Sequence, residues 1–129
     1  MNQTFGKEYK LCSHVILDKL FQEGKKVHEF PFLIYYLLIE QEDKNKFQVV
    51  VSVPKRKFKY AHDRNYIKRS VTECLRKNKL IFENLLKNNK NSLFLAIIFN
   101  FDQHLNSIEI EQKLLPALIK LSNQIKPFC

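Results

Sequence analysis

The sequence predicts an α+β fold, a small sheet packed by helices, in the order helix–strand–strand–helix–strand–helix. Three observations predict it. Residues 11–24 and 64–87 repeat apolar side chains with the 3.6-residue period of amphipathic helices. Residues 32–39 and 47–53 are rich in aromatic and β-branched residues, and the second stretch alternates strictly. Residues 93–99 are an unbroken apolar run between Asn-rich flanks, too short for a buried helix and suited to a strand covered on both faces.

In chain order, the first helix places Val15, Ile16, Leu20 and Phe21 on one side, with Ser13 as its N-cap and Gly24 as its C′ stop. Pro31 and the polar cluster at 40–45, which reads as a turn, bound the first strand. The next strand turns Phe47, Val49, Val51 and Val53 to one face, and is expected to pair antiparallel with its predecessor. Pro54 ends it, a basic loop follows at 55–59, and Asp63 is the expected N-cap of the long helix. The sequence Asn106-Ser107-Ile108-Glu109 resembles a capping box and opens a last helix toward Ile125. Pro116 removes a backbone donor inside that helix and should kink or restart it.

The 129 residues fit one domain, 1–129, with no repeat or linker, and 45% hydrophobic content is enough for a folded core. A polar start gives no secretory signal, and no apolar run reaches the roughly 18 residues of a membrane span. Cys12, Cys74 and Cys129 are odd in number and have no CxxC spacing, which reads as reduced thiols in a cytoplasmic protein.

Charge is the most localised property of the chain. Between Pro54 and Lys79 stand ten Lys or Arg residues and two acids, Asp63 and Glu73, while the rest of the chain is nearly balanced against a total of +9. So local an excess is a patch whose counter-surface is a polyanion; a charged face kept for solubility would interleave more acids. On the helix, Ile67, Val71, Cys74, Leu75, Phe82 and Leu85 share one side. Asn65, Arg69, Thr72 and Arg76 fall on another, within an arc of about 60°, and Lys68 lies at its edge. Arg forks bind phosphate, and Asn reaches sugar or base edges. Lys55-Arg56-Lys57 extend the positive surface.

These residues also carry a resemblance. Val51-Ser52-Val53-Pro54-Lys55-Arg56-Lys57, then Ala61-His62-Asp63-Arg64-Asn65-Tyr66-Ile67-Lys68-Arg69 and Glu73, are similar to the protein subunit of bacterial ribonuclease P, whose long helix bears an RN-x-x-KR-x-x-RE core. Arg64, Asn65, Lys68, Arg69 and Glu73 match that core. Tyr60 and His62 stand where lysine and valine are usual. Thr72 replaces a second arginine, for which Arg76 is expected to compensate. Upstream, Leu17, Phe21 and Gly24 represent an F-x-x-x-F-x-x-G helix pattern with its first aromatic replaced, and Tyr35 matches a strand tyrosine. The resemblance spans about residues 11–99.

The resemblance implies a small α/β sandwich of the ribosomal-protein-S5-domain-2 type. Its sheet has four strands, one of them a short extra strand near residues 25–28, and its βαβ crossover is left-handed. The implied partners are a catalytic ribonuclease P RNA and precursor tRNA, with no membrane. The RNA would hold Mg²⁺ and hydrolyse the phosphodiester that joins the 5′ leader to the tRNA. Lys55, Arg56, Lys57, Arg64, Asn65, Lys68, Arg69 and Arg76 would bind RNA, and Leu17, Phe21 and Tyr35 would line a cleft for the single-stranded leader.

Nothing in the sequence equips the chain for catalysis alone. His14, His28, His62 and His104 are scattered, Asp43, Asp63 and Asp102 form no cluster, and Gly6 and Gly24 are the only glycines, too few for a phosphate loop. The competing class is a structural RNA-binding protein of ribosomal type, which would need neither the aromatic groove nor the RN-x-x-KR block. A DNA regulator would need a helix preceding the basic one in a helix-turn-helix, and none is present.

Overall fold

The computed structural model describes residues 9–11, 13–40, 47–86 and 91–126. The polar turn expected at 40–45 lies almost wholly outside them, as do Cys12, Asp43 and Cys129. In order, the elements are α1 (His14–Glu23), β1 (Lys25–Glu29), β2 (Phe32–Glu40), β3 (Phe47–Ser52), α2 (Ala61–Leu86), β4 (Asn91–Phe99) and α3 (Ser107–Ile125).

Helix α1 starts as its sequence predicts: the Ser13 hydroxyl accepts from the Ile16 N–H at 3.3 Å. It also stops at Gly24, but for another reason than expected. Gly24 is extended, with φ −67° and ψ 152°, so no left-handed cap is formed. A Cβ there would lie 2.2 Å from the Leu20 carbonyl oxygen and 3.0 Å from that of Tyr36, so glycine is needed for the close approach of helix end to strand.

The four strands lie in the order β1-β2-β4-β3. The β1 and β2 strands form an antiparallel hairpin, β2 pairs antiparallel with β4, and β3 pairs parallel with β4, from Phe47 opposite Leu93 to Ser52 opposite Ile98. Thus β3 is not the antiparallel partner of β2. Strand β4 is buried on both faces from Ser92 to Ile97, and a strand with no solvent-facing side is best satisfied between two neighbours. It occupies the place between β2 and β3, and α2 makes the parallel crossover from β3 to β4.

Helices α2 and α3 pack on each other and cover one face of the sheet, while α1 crosses the other. Under the first pair lies the main core, including Phe32, Ile34, Phe47, Leu95, Ile97 and Phe99 from the sheet with Ile67, Val71, Leu75 and Phe82 from α2. Each such side chain is worth about 1.5–3 kcal/mol when fully buried. Under α1 the cluster is small: Leu11, Leu20, Phe94 and Ala96, with half-buried Leu17, Tyr35, Leu37 and Val50 around it. Ala96 presents only a methyl group where α1 crosses, which lets Leu20 seat fully.

Two helix starts differ from expectation. The long helix α2 begins at Ala61, so Asp63 sits in its first turn, and the Tyr60 carbonyl accepts from the Asp63 and Arg64 N–H groups at 3.2 and 3.4 Å. Asp63 is therefore no N-cap, although its carboxylate still suits the positive end of the helix. Helix α3 does open on a capping box, with Asn106 Oδ1 accepting from Glu109 N–H at 2.9 Å and Glu109 Oε1 accepting from Asn106 N–H at 3.3 Å. Pro116 does not restart it. The helix is continuous around the proline, which lies on its exposed side, where water can satisfy the carbonyl left without a partner.

Candidate nucleic-acid interface

The apolar stripe of α2 fixes what its other sides can do. Ile67, Val71, Cys74, Leu75 and Phe82 are buried and Leu85 is half-buried, so the helix cannot rotate without exposing them. Asn65, Lys68 and Arg69 consequently face solvent, with Thr72 and Arg76 half-buried further along the same row. From Asn65 to Arg76 the row runs for roughly 16 Å at the helical rise.

The loop before α2 is joined to this row. Lys57 N–H donates to the Pro54 carbonyl at 3.2 Å, closing a turn that leaves Lys55 and Arg56 exposed and Lys57 half-buried. Phe58 plugs the loop into the main core, 5.9 Å from the ring of Phe99. Arg64 Nη1 then donates to the carbonyls of Phe58, at 2.6 Å, and Lys59, at 3.4 Å. Arg64 is thus spent partly on holding the basic loop against the first turn of α2, which keeps loop and row as one surface.

Two other cations of the segment are engaged within the protein. Arg76 forks onto Glu73 through Nε, 3.0 Å from Oε2, and through Nη2 to Oε1. That contact holds the Glu73 carboxyl below the usual carboxylate range and raises Arg76 in turn. The guanidinium expected to replace the missing arginine at Thr72 therefore points to Glu73 in this structure. Lys79 is buried: its Nζ lies 4.9 Å from the centre of the Tyr9 ring, while Tyr9 donates to Glu83 at 2.6 Å. It belongs to the packing of the N-terminal segment on α2, not to the outer patch.

On the opposite face, α1 lays Phe21 against Tyr35 of β2, edge to face, with ring centroids 4.9 Å apart. Phe21 stays 49% exposed, and Leu17 and Tyr35 are half-buried beside it. The three residues expected in one groove do meet there, both packed and open to solvent. Lys26 joins them, its Nζ 5.3 Å from the centre of the Tyr35 ring. Sequence reasoning missed Lys26, and the available signal was cross-strand pairing: it stands directly opposite Tyr35 in the β1–β2 register.

Among the described residues no three His, Cys, Asp or Glu side chains are placed to hold a metal ion. The two carboxylates of the patch have partners within the protein: Asp63 lies 3.4 Å from His62, and Glu73 binds Arg76. Burial pushes the Cys74 thiol up to about 11, with the charge of Glu111 adding to it, so it remains protonated at neutral pH and is no nucleophile. No helix among the described residues is long and apolar enough to cross a membrane.

Among the described residues, the fold is a helix-and-sheet sandwich with a cationic helix row on one side and a partly exposed aromatic pair on the other, features of the kind found in proteins that bind polyanions. The family model described as Ribonuclease P matches residues 5–121, and the chain belongs to that family. Similar curated proteins are the ribonuclease P protein components of Porphyromonas gingivalis, 27% identical over 95% of this chain and 90% of that one, and of Pseudoalteromonas translucida, 28% identical over 96% and 81%. Solved structures share the fold: the Staphylococcus aureus RNase P protein superposes with a TM-score of 0.67 at 19% identity over 89% of this chain and 96% of that one. The Thermotoga maritima protein gives 0.65 at 20% over 86% and 96%.

Proposed function

We propose that the protein is the protein subunit of ribonuclease P and assists a catalytic RNA in removing the 5′ leader from precursor tRNA. The family match over residues 5–121 is the observation that carries this reading. In it, Lys55, Arg56, Lys57, Asn65, Lys68 and Arg69 grip phosphates and sugars of the catalytic RNA, with Arg64 positioning the loop. Leu17, Phe21, Tyr35 and Lys26 receive the leader as a single strand, where unpaired bases lie on exposed ring faces.

The RNA performs the hydrolysis in this reading, and leaves a 5′-phosphate on the mature tRNA. Divalent ions such as Mg²⁺ are held mainly by the RNA in this reading. The chain's own contribution is to neutralise phosphate repulsion where the two RNAs approach and to hold the leader in register. Such an assembly works in the cytoplasm, where tRNA precursors are made.

The patch makes a quantitative statement about salt. With about six phosphates neutralised, the logarithm of the association constant for the catalytic RNA falls with the logarithm of salt concentration at a slope of about −4 to −5. Filter binding or fluorescence titration across a salt series measures it. A slope near −1 would show that the patch is not the contact.

A further inference from the structure

The residues immediately before and inside the first turn of α2 carry two aromatic rings that neither the core nor the phosphate-binding row uses. Tyr60 is 59% exposed and His62 has 79% of its side chain in water. Their rings lie stacked, with centroids 5.8 Å apart and planes 27° from parallel. The Tyr60 carbonyl accepts from the Asp63 and Arg64 N–H groups, a main-chain duty that any residue could perform and that makes no use of the phenol ring. Single exposed apolar residues are ordinary on a surface. A stacked pair between Lys55-Arg56-Lys57 and Lys68-Arg69 is a different object, because exposed π-faces amid cations form the usual platform for an unpaired nucleobase.

Charge is arranged to suit that occupant. Lys59 Nζ lies over the Tyr60 ring, 6.0 Å from its centre, which brings a cation to the platform for the phosphate that any bound nucleotide carries. The His62 imidazole Nε2 lies 3.4 Å from Asp63 Oδ1.

We propose that Tyr60 and His62 form a stacking platform that holds one unpaired nucleobase of the RNA whose phosphates occupy the α2 row. The inference rests on the ribonuclease P reading and adds to it a contact with a base. Stacking and phosphate contact separate cleanly, because only the second releases counterions. The proposal therefore requires Tyr60→Ala to weaken RNA binding about five- to a hundred-fold at every salt concentration, with the salt slope unchanged. Tyr60→Phe keeps the ring and should bind like wild type, and His62→Ala should lose affinity in the same slope-neutral way. Arg69→Ala is the contrasting control, lowering the slope by about one.

The experiment titrates each purified variant, matched for thermal unfolding, with two probes: the cognate catalytic RNA, and precursor tRNA bearing a single-stranded leader. A slope-neutral loss with the catalytic RNA supports the platform, whereas a loss with the precursor alone overturns it, since the base would then belong to the leader and not to the RNA on the α2 row. Unchanged affinity of Tyr60→Ala for both probes, while wild type binds, overturns the platform and leaves the ribonuclease P reading intact. A reduced slope for Tyr60→Ala overturns it as well, since the ring would then be acting through charge. Failure of wild type to bind either RNA overturns both.

Discussion

Arg69→Ala should weaken binding of the catalytic RNA by about 1.5–3 kcal/mol, roughly ten- to a hundred-fold, without unfolding the domain. Arg69 is exposed on α2, so its removal leaves no buried group unpaired and opens no cavity. Two positions further on, Val71 is fully buried, and Val71→Ala should have the complementary effect. It destabilises the fold by about 1–2 kcal/mol and leaves RNA affinity unchanged under conditions where the protein is folded. Chemical denaturation and RNA titration of the same two variants check both halves. Equal RNA affinity for Arg69→Ala and wild type would refute the assignment of helix faces to tasks.

Tyr35→Ala should lower affinity for precursor tRNA in the assembled enzyme by about 1–3 kcal/mol and leave affinity for mature tRNA unchanged. The ring of Tyr35 is held on three sides, by Phe21 at 4.9 Å, by Lys26 at 5.3 Å and by its place in β2, so it is already oriented before a leader arrives. Pre-orientation lowers the entropic cost of binding a single strand. The readout is the ratio of precursor to mature affinity for wild type and variant. A ratio that does not move, with the variant folded, would make Phe21 and Tyr35 a packing pair alone.

Helix-forming segments were legible in the sequence because their signals are local. Ser13, Asn106 and Glu109 do at the helix starts what their side chains suit them for, and the apolar stripe of α2 lies where its period puts it. Strand partnership was not legible from neighbours in sequence. The alternation in β3 specifies which residues face the core, yet says nothing of which strand lies alongside. The decisive information was the apolar run of β4, whose two buried faces demand an interior place and so separate β2 from β3. Strand β1 escaped the pattern because only Val27 of its five residues is buried, leaving no periodicity to detect.

For the interface, composition showed where charge accumulates but not how it is spent. Arg64, Arg76 and Lys79 all count toward the positive excess, and each is engaged within the protein, by loop carbonyls, by Glu73 and by Tyr9. Such contacts depend on side-chain direction across a turn of helix or between distant segments, which residue spacing alone does not encode. The aromatic groove was located through resemblance, and its geometry rests on α1 crossing β2 at Tyr35.

Reconstitution tests whether this chain serves a catalytic RNA in tRNA processing. Precursor tRNA is incubated with the purified protein, with the cognate catalytic RNA at low Mg²⁺, and with both together. No cleavage is expected with the protein alone, and with both a faster reaction than with RNA alone, at the leader junction and leaving a 5′-phosphate. Cleavage by the protein alone, or a rate for RNA plus protein no higher than for RNA alone, would contradict that role.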